Sequence, residues 1–290
     1  MIRFSRFIWL YFLISALVLV PGTFALLRFG LLPAVDFTGG TLIELHYKSN
    51  VPQSVVENIL SGQKIIAANI QFSTGNNYLV RLKPVSNAEL AKLENAITSS
   101  PEKPEIVRND TVGPVLGKEL LQKTVMAAIV AIIAMLSYVA YAFKNIKFGV
   151  AAILALIHDL LVVLGTFSLL GHFLHIEVDT LFVTAFLTTM SFSVHDTIVV
   201  FDRIREMLKR GDRLPFDQLC DKALTQTVGR SLANSLTIIF MLLALVLMGG
   251  ETVRWFIFAL LIGTISGTYS SDFIATPILI LWDRWEKRKK

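Results

Sequence analysis

The sequence predicts an α-helical polytopic membrane protein, with six transmembrane helices and one small α+β domain between the first and the second. Three observations carry this. Of the 290 residues 54% are hydrophobic and only 17% charged, too apolar a balance for one soluble domain. Four runs carry no charge, namely Phe7–Leu27, Thr124–Phe143, Ser231–Gly250 and Trp255–Ser271, and two more, Phe148–Gly171 and Thr180–Phe201, are apolar apart from a His-Asp pair in each. Every run is long enough to cross roughly 30 Å of hydrocarbon. Between the first two runs lies a polar stretch with strand and helix patterns.

The chain divides into residues 1–30 with span one, 31–122 as the outer domain, and 123–290 as a five-helix bundle. Span one begins after Arg3 and Arg6, and no small-residue cleavage site follows it, so it is expected to be retained. Pro21-Gly22 should loosen its outer end. Asp36-Phe37-Thr38-Gly39-Gly40 marks the exit from the bilayer, its paired glycines suited to a tight turn. Thr41–Tyr47 alternates Ile43, Leu45 and Tyr47 against Glu44 and His46, a strand with one wet face. Ser54–Glu57 and Ser86–Glu89 read as capping boxes that open two helices, the second running to about Thr98. Ala68–Ser73 and Tyr78–Lys83 read as a hairpin around Thr74-Gly75-Asn76-Asn77, and Pro104–Thr111 as the last strand. The order β-α-β-β-α-β is the ferredoxin-like arrangement.

Gly113-Pro114 breaks this domain from span two, and the short turn Lys144–Lys147 makes spans two and three antiparallel neighbours. Span four continues into an amphipathic stretch, where Ile204, Met207 and Leu208 oppose Arg203, Glu206, Lys209 and Arg210. It suits a helix on the inner membrane face within a cytoplasmic loop of about 202–225 that also holds Cys220. In span five Thr227, Arg230, Asn234 and Thr237 form a polar stripe, and in span six Gly263 and Gly267 form a face for close packing.

The net charge of +5 follows topology. With both termini in the cytoplasm, Arg3, Arg6, Lys144, Lys147, the basic residues from Arg203 to Arg230 and the tail Arg284–Lys290 all fall inside. This bias argues against nucleic acid as a partner. The single cysteine excludes a disulfide framework. No hydrolase, nucleotide-binding or redox motif occurs, so no enzyme and no cofactor is expected. His172, His175, Glu177 and Asp179 crowd one outer loop, but polar residues at a membrane surface account for them without a metal.

The candidate site is a set of acids inside the spans, where an Asp at mid-membrane costs about 2.5–3.5 kcal/mol. Asp196 ends span four at the depth where Arg230 opens span five. Two readings stay open: a proton-binding carboxylate with the Arg as gate, or a static ion pair that sets helix register. Asp159, beside His158 in span three, carries the same two readings with no cation evident at its depth. His195 faces about 100° away from Asp196, and it, Asn234 and Asp272 are candidates either for the relay or for packing.

These residues resemble a known family. Asp36–Gly40 (DFTGG), Val112-Gly113-Pro114 and the block Ser193–Glu206 carry the likeness. Arg230-Ser231, Gly249–Thr252 and Gly267–Ser271 extend it. The chain resembles the SecF family, the smaller subunits of the SecDF complex of the bacterial Sec protein-export machinery, in the RND superfamily. The resemblance implies an RND-like half bundle in the bacterial cytoplasmic (inner) membrane and an extracytoplasmic ferredoxin-like domain. It implies SecD as partner, along with the Sec translocon channel, its accessory membrane subunits and a translocating polypeptide, and proton-motive force as the energy source. The family's relay Asp falls on Asp196 and its essential Arg on Arg230. His195 stands where the family usually has Asn, Ser191-Phe192-Ser193 stands for Gly-Tyr-Ser, and Asp272 occupies a place expected to be apolar. Rival readings are a half-size RND-type exporter of lipid or small molecules, and a non-transporting scaffold for the outer domain.

Overall fold

The computed structural model describes residues 3–73, 76–143, 145–211 and 214–289. The hairpin residues Thr74 and Gly75, the basic residues Lys144, Arg213 and Lys290, and Asp212 lie outside these. The chain forms two compact units, Pro33–Met126 and Met1–Leu32 joined with Ala127–Lys290.

In the first unit a single turn of helix, α2 (Val35–Thr38), leads into β1 (Gly40–His46). Then follow α3 (Gln53–Gly62), β2 (Ala67–Ser73), β3 (Asn77–Leu82), α4 (Asn87–Thr98) and β4 (Glu105–Val112). The sheet order is β2-β3-β1-β4 with every neighbouring pair antiparallel. Ile43, Leu45, Tyr47, Val80, Leu82, Leu93 and Ile97 form its core.

Three local expectations fail here. Glu44 is buried, because β1 is an inner strand between β3 and β4, and it accepts a hydrogen bond from Asn77 Nδ2 at 3.0 Å. His46, expected to be solvated alone, pairs through Nδ1 with Asn77 Oδ1 at 2.6 Å. Ser54 caps nothing: α3 starts after Pro52, which places Ser54 inside its first turn. The second capping box forms. Glu89 N–H donates to Ser86 Oγ, and Ser86 N–H donates to Glu89 Oε2 at 2.9 Å. Those bonds from Ser86 hold the Glu89 carboxyl below the usual carboxylate range. Burial, aided by Glu102 and Tyr78, pushes the Tyr47 hydroxyl up to about 12.

The second unit holds α1 (Ile8–Phe29), most of α5 (Pro114–Ala142), α6 (Ile146–Leu174), α7 (Thr180–Lys209), α8 (Phe216–Met248) and α9 (Glu251–Ser270). A π turn, Ser271–Ala275, joins α9 to α10 (Thr276–Lys289). Among the described residues six stretches are long and apolar enough to cross a membrane, with α9 and α10 counting as one. The helices outrun the apolar runs because polar residues at their ends are also helical. Thus 202–209 simply completes α7, and 216–225 opens α8. Ile204 and Met207 are packed in the core, whereas Leu208 is exposed. Cys220 is likewise a buried residue of α8, not part of a loop. α1 runs unbroken through Pro21, and its Gly22 backbone lies against Gly165 of α6.

α9 packs against α6, α7 and α8, and α1 lies along α6. α5 meets the bundle through one side, with Val139 and Phe143 packed on Phe148 and Phe201. Only 6% of its span is buried, against 56% for α6. Helix starts follow their caps: Asn145 accepts from Lys147 N–H at 3.1 Å and Asp179 from Phe182 N–H at 2.7 Å. His175 closes α6 in the left-handed conformation, φ 55°.

Candidate functional site

Close packing of α9 on α7 creates the site. Thr189 faces Gly263 and Ser193 faces Gly267, so a side chain at Gly263 would collide with α7 and one at Gly267 would be crowded by it. Small residues let the two backbones approach, as in membrane helix pairs generally. The same approach brings short hydroxyl side chains within reach of an acid on the third helix, α6.

That acid is Asp159, 3% exposed. Its Oδ1 accepts from Ser266 Oγ at 2.6 Å and lies 3.0 Å from His158 Nδ1. Its Oδ2 accepts from Ser193 Oγ at 2.6 Å and Ser270 Oγ at 2.5 Å. A carboxylate offers about four lone-pair sites, and here all four are engaged. The imidazole extends the network, with Nε2 2.9 Å from Ser15 Oγ of α1. The set is satisfied when Nδ1 carries the proton toward the carboxylate and Nε2 accepts from Ser15. Asp159 therefore ties together α1, α6, α7 and α9. Ser15, Ser193, Ser266 and Ser270 were not singled out as its partners from sequence. A signal exists for two of them: Ser266 and Ser270 repeat at i, i+4 beside Gly263 and Gly267.

Asp196 lies a turn further along α7 and is partly buried. Its one hydrogen bond among the described residues is a long one, from Ser235 Oγ of α8 at 3.4 Å. The expected partner is not there. Arg230 is exposed, and no ion pair joins it to Asp196. The expected polar stripe of α8 also faces the other way, since Asn234 and Thr237 are exposed while Thr227, Ser231 and Ser235 are buried. Both stripes share Thr227 and then diverge by one residue, or 100° of helix. Short hydroxyls fit against α7; a guanidinium and a carboxamide do not. His195 is exposed, on the side of Thr188 and Phe192, as its position in the helix implies.

Asp272 sits in the π turn, 2% exposed, with neither oxygen hydrogen-bonded among the described residues. At one end of the bundle a different set of polar contacts closes the helix termini. Asp221 accepts from the Ser5 N–H and Oγ, each at 2.8 Å, Arg284 pairs with Asp217 at 2.6 Å, and Lys147 pairs with Glu286. His172, in the last turn of α6 and not in a loop, stacks on Phe29 of α1, centroids 3.7 Å apart. No group of three His, Cys, Asp or Glu side chains able to hold a metal occurs among the described residues.

In the other unit, the DFTGG stretch forms α2 and its exit. Gly39 and Gly40 have φ of 71° and 131°, conformations that side chains rarely adopt. A Cβ at Gly39 would stand 2.7 Å from Pro114 Cα. The two glycine-containing motifs noted in the sequence, around Gly39 and Gly113-Pro114, thus meet at one corner, with Phe37 buried beside it.

The family described as protein export membrane protein SecD/SecF, C-terminal, matches residues 92–285. The chain is 39% identical to the protein translocase subunit SecF of Thermobaculum terrenum, over 98% of this chain and 94% of that protein. It is 36% identical to the protein translocase subunit SecDF of Thermus thermophilus, over 89% of this chain but only 35% of that longer protein. Among solved structures it is similar to the crystal structure of SecDF from Thermus thermophilus, a translocon-associated membrane protein. The TM-score is 0.88 at 32% identity, covering 98% of this chain and 39% of that one.

Proposed function

We propose that this chain, which belongs to the SecF family of protein translocase subunits, binds and releases protons at Asp196 to help drive polypeptide export. It is a multi-pass membrane protein and a subunit of the Sec translocation machinery. Beyond that, the reading is ours. One observation carries it: Asp196 is partly buried between α7 and α8, and among the described residues it is held by one long hydrogen bond, from Ser235 at 3.4 Å. A carboxyl so lightly held can gain or lose a proton without dismantling a network.

Asp159 is assigned the opposite role, a fixed clamp, because a proton reaches it only by displacing one of four partners. Arg230, on the exposed side of α8, acts as a mobile counter-charge: rotation of α8 would carry it toward Asp196 and expel the proton. His195, also exposed, stands outside this step.

The fused SecDF relative supports a SecD-like partner that supplies the other half of the bundle. The unit around the sheet, with strand order β2-β3-β1-β4, is read as a ferredoxin-like domain outside the cytoplasm, and both termini as cytoplasmic. A membrane potential of 100 mV supplies about 2.3 kcal/mol per charge moved, so several protons are needed for mechanical work on a polypeptide. The test is Asp196→Asn in inverted vesicles that hold the partner subunit and the channel. Potential-dependent export should fall to the level seen without the complex, and undiminished export rejects the relay.

A further inference from the structure

Asp272 is the buried acid that the relay at Asp196 leaves without a task. Its neighbours in the π turn, Ser271, Ile274 and Ala275, are as buried as it is. The turn packs on α1, α6 and α7, so this chain's own helices close it off. The other buried acids of the bundle have donors, four for Asp159 and two for Asp221. Asp272 has none among the described residues. A bare charge in such a place costs far more than a neutral carboxyl does.

The α7–α9 contact supplies it with a neighbour. Thr189 to Ser193 on α7 and Gly263 to Gly267 on α9 advance together by four residues. A further step of four sets Thr197 beside Ser271, and so brings Asp196 and Asp272 to one level. The π turn packs on α7 at this level, where Asp196 is the acid α7 carries. The helix also leaves α geometry at this level, and single π turns inside α-helices recur at functional sites.

We propose that Asp272 is a second proton-binding carboxyl of the bundle, paired across the α7–α9 contact with Asp196, so that one proton is exchanged between the two acids. This rests on the relay reading of Asp196. In the step one carboxyl O–H bond breaks and another forms. The pair holds one proton and one negative charge before and after. The titratable groups around the turn are few. α7 brings Asp196, α6 brings His158 and Asp159, α1 brings Tyr11, and α9 brings Tyr269, whereas the first six residues of α10 bring none. Asp159 is saturated and His158 is bonded to it and to Ser15. Tyr269 donates to the Tyr11 carbonyl at 2.7 Å, and both tyrosine rings lie on Phe273. Asp196 is left as the exchange partner.

The test uses dicyclohexylcarbodiimide, a membrane-soluble reagent that modifies protonated carboxyls, on the full chain with its partner subunit in native vesicles. Adducts are mapped by mass spectrometry from about pH 6 to about pH 9. Asp272 should be modified, with the yield falling about tenfold per pH unit on the alkaline side. Asp196→Asn, which removes the neighbouring charge, should lower that yield several-fold at fixed alkaline pH. An unmodified Asp272, or a yield indifferent to Asp196→Asn, overturns the pair. Asp272→Asn, which keeps shape and burial, should slow proton-driven export several-fold, and unchanged export also overturns it. The two readings fail separately. Export that survives Asp196→Asn while Asp272 is modified as expected rejects the relay, and export lost with Asp272 unmodified rejects only the pair.

Discussion

Asp159 and Asp272 are closed to solvent within the same bundle, at 3% and 2% exposed, and their surroundings are opposites. The first draws donors from α6, α7 and α9 onto both oxygens. The second, in a π turn that touches the same helices, has none among the described residues. Burial therefore does not decide which of the two is held fixed. The number of donors decides it, because each donor fixes the carboxyl in place and fills a lone pair that a proton would need. Asp196, with one long bond from Ser235, stands nearer to Asp272 on that scale.

The hardest test of the contrast is to make both sites apolar. Asp159→Leu should cost on the order of 3–5 kcal/mol, because it strands a buried imidazole and three hydroxyls at once. Asp272→Leu should leave stability within about 1 kcal/mol of the parent, or raise it, since no donor loses its acceptor. Thermal unfolding in detergent reads both, and equal losses would break the comparison.

A smaller effect probes the packing that supplies the donors. Gly263→Val should cost about 1–3 kcal/mol by driving a side chain into Thr189. Thr189→Ala in the same chain should recover part of that loss, and two strictly additive changes would show that the α7–α9 approach does not set the site.

The smallest effect lies in water. Glu89, fully exposed, also has donors, from Ser86, but the solvent competes for them. Ser86→Ala should cost about 1 kcal/mol, read as faster amide exchange in the first turn of α4. The carboxyl's folded value lies below its unfolded one, so its contribution is present above the unfolded value and lost as pH falls through the folded one. Protection in that turn, measured against the intrinsic exchange rate at each pH, should fall in acid, and Glu89→Gln should abolish the dependence.

Much of the architecture was legible in the chain. Apolar runs, four of them free of charge and two holding a His-Asp pair, marked the candidate spans, since a long apolar stretch has little other use. Turn residues and Ser86–Glu89 marked the strand and helix order of the other unit, because caps and glycines act locally. Gly263 and Gly267 marked a packing face that the structure realises. Missed features share one cause. Arg230 and Asp196 were matched by depth, but depth does not fix rotation about a helix axis, and 100° of α8 separates Arg230 from the buried Ser231. Glu44 was given a wet face because alternation cannot reveal that a strand is an inner one.

What the residues alone determined is which segments are helices in an apolar solvent and which acids lie within them: backbone bonding is satisfied within a segment, and an Asp among leucines is visible wherever it lies. Which acid is saturated and which is bare was decided by tertiary structure. Donors for a side chain in lipid come from other helices, and their arrival depends on how closely, and at what rotation, those helices pack.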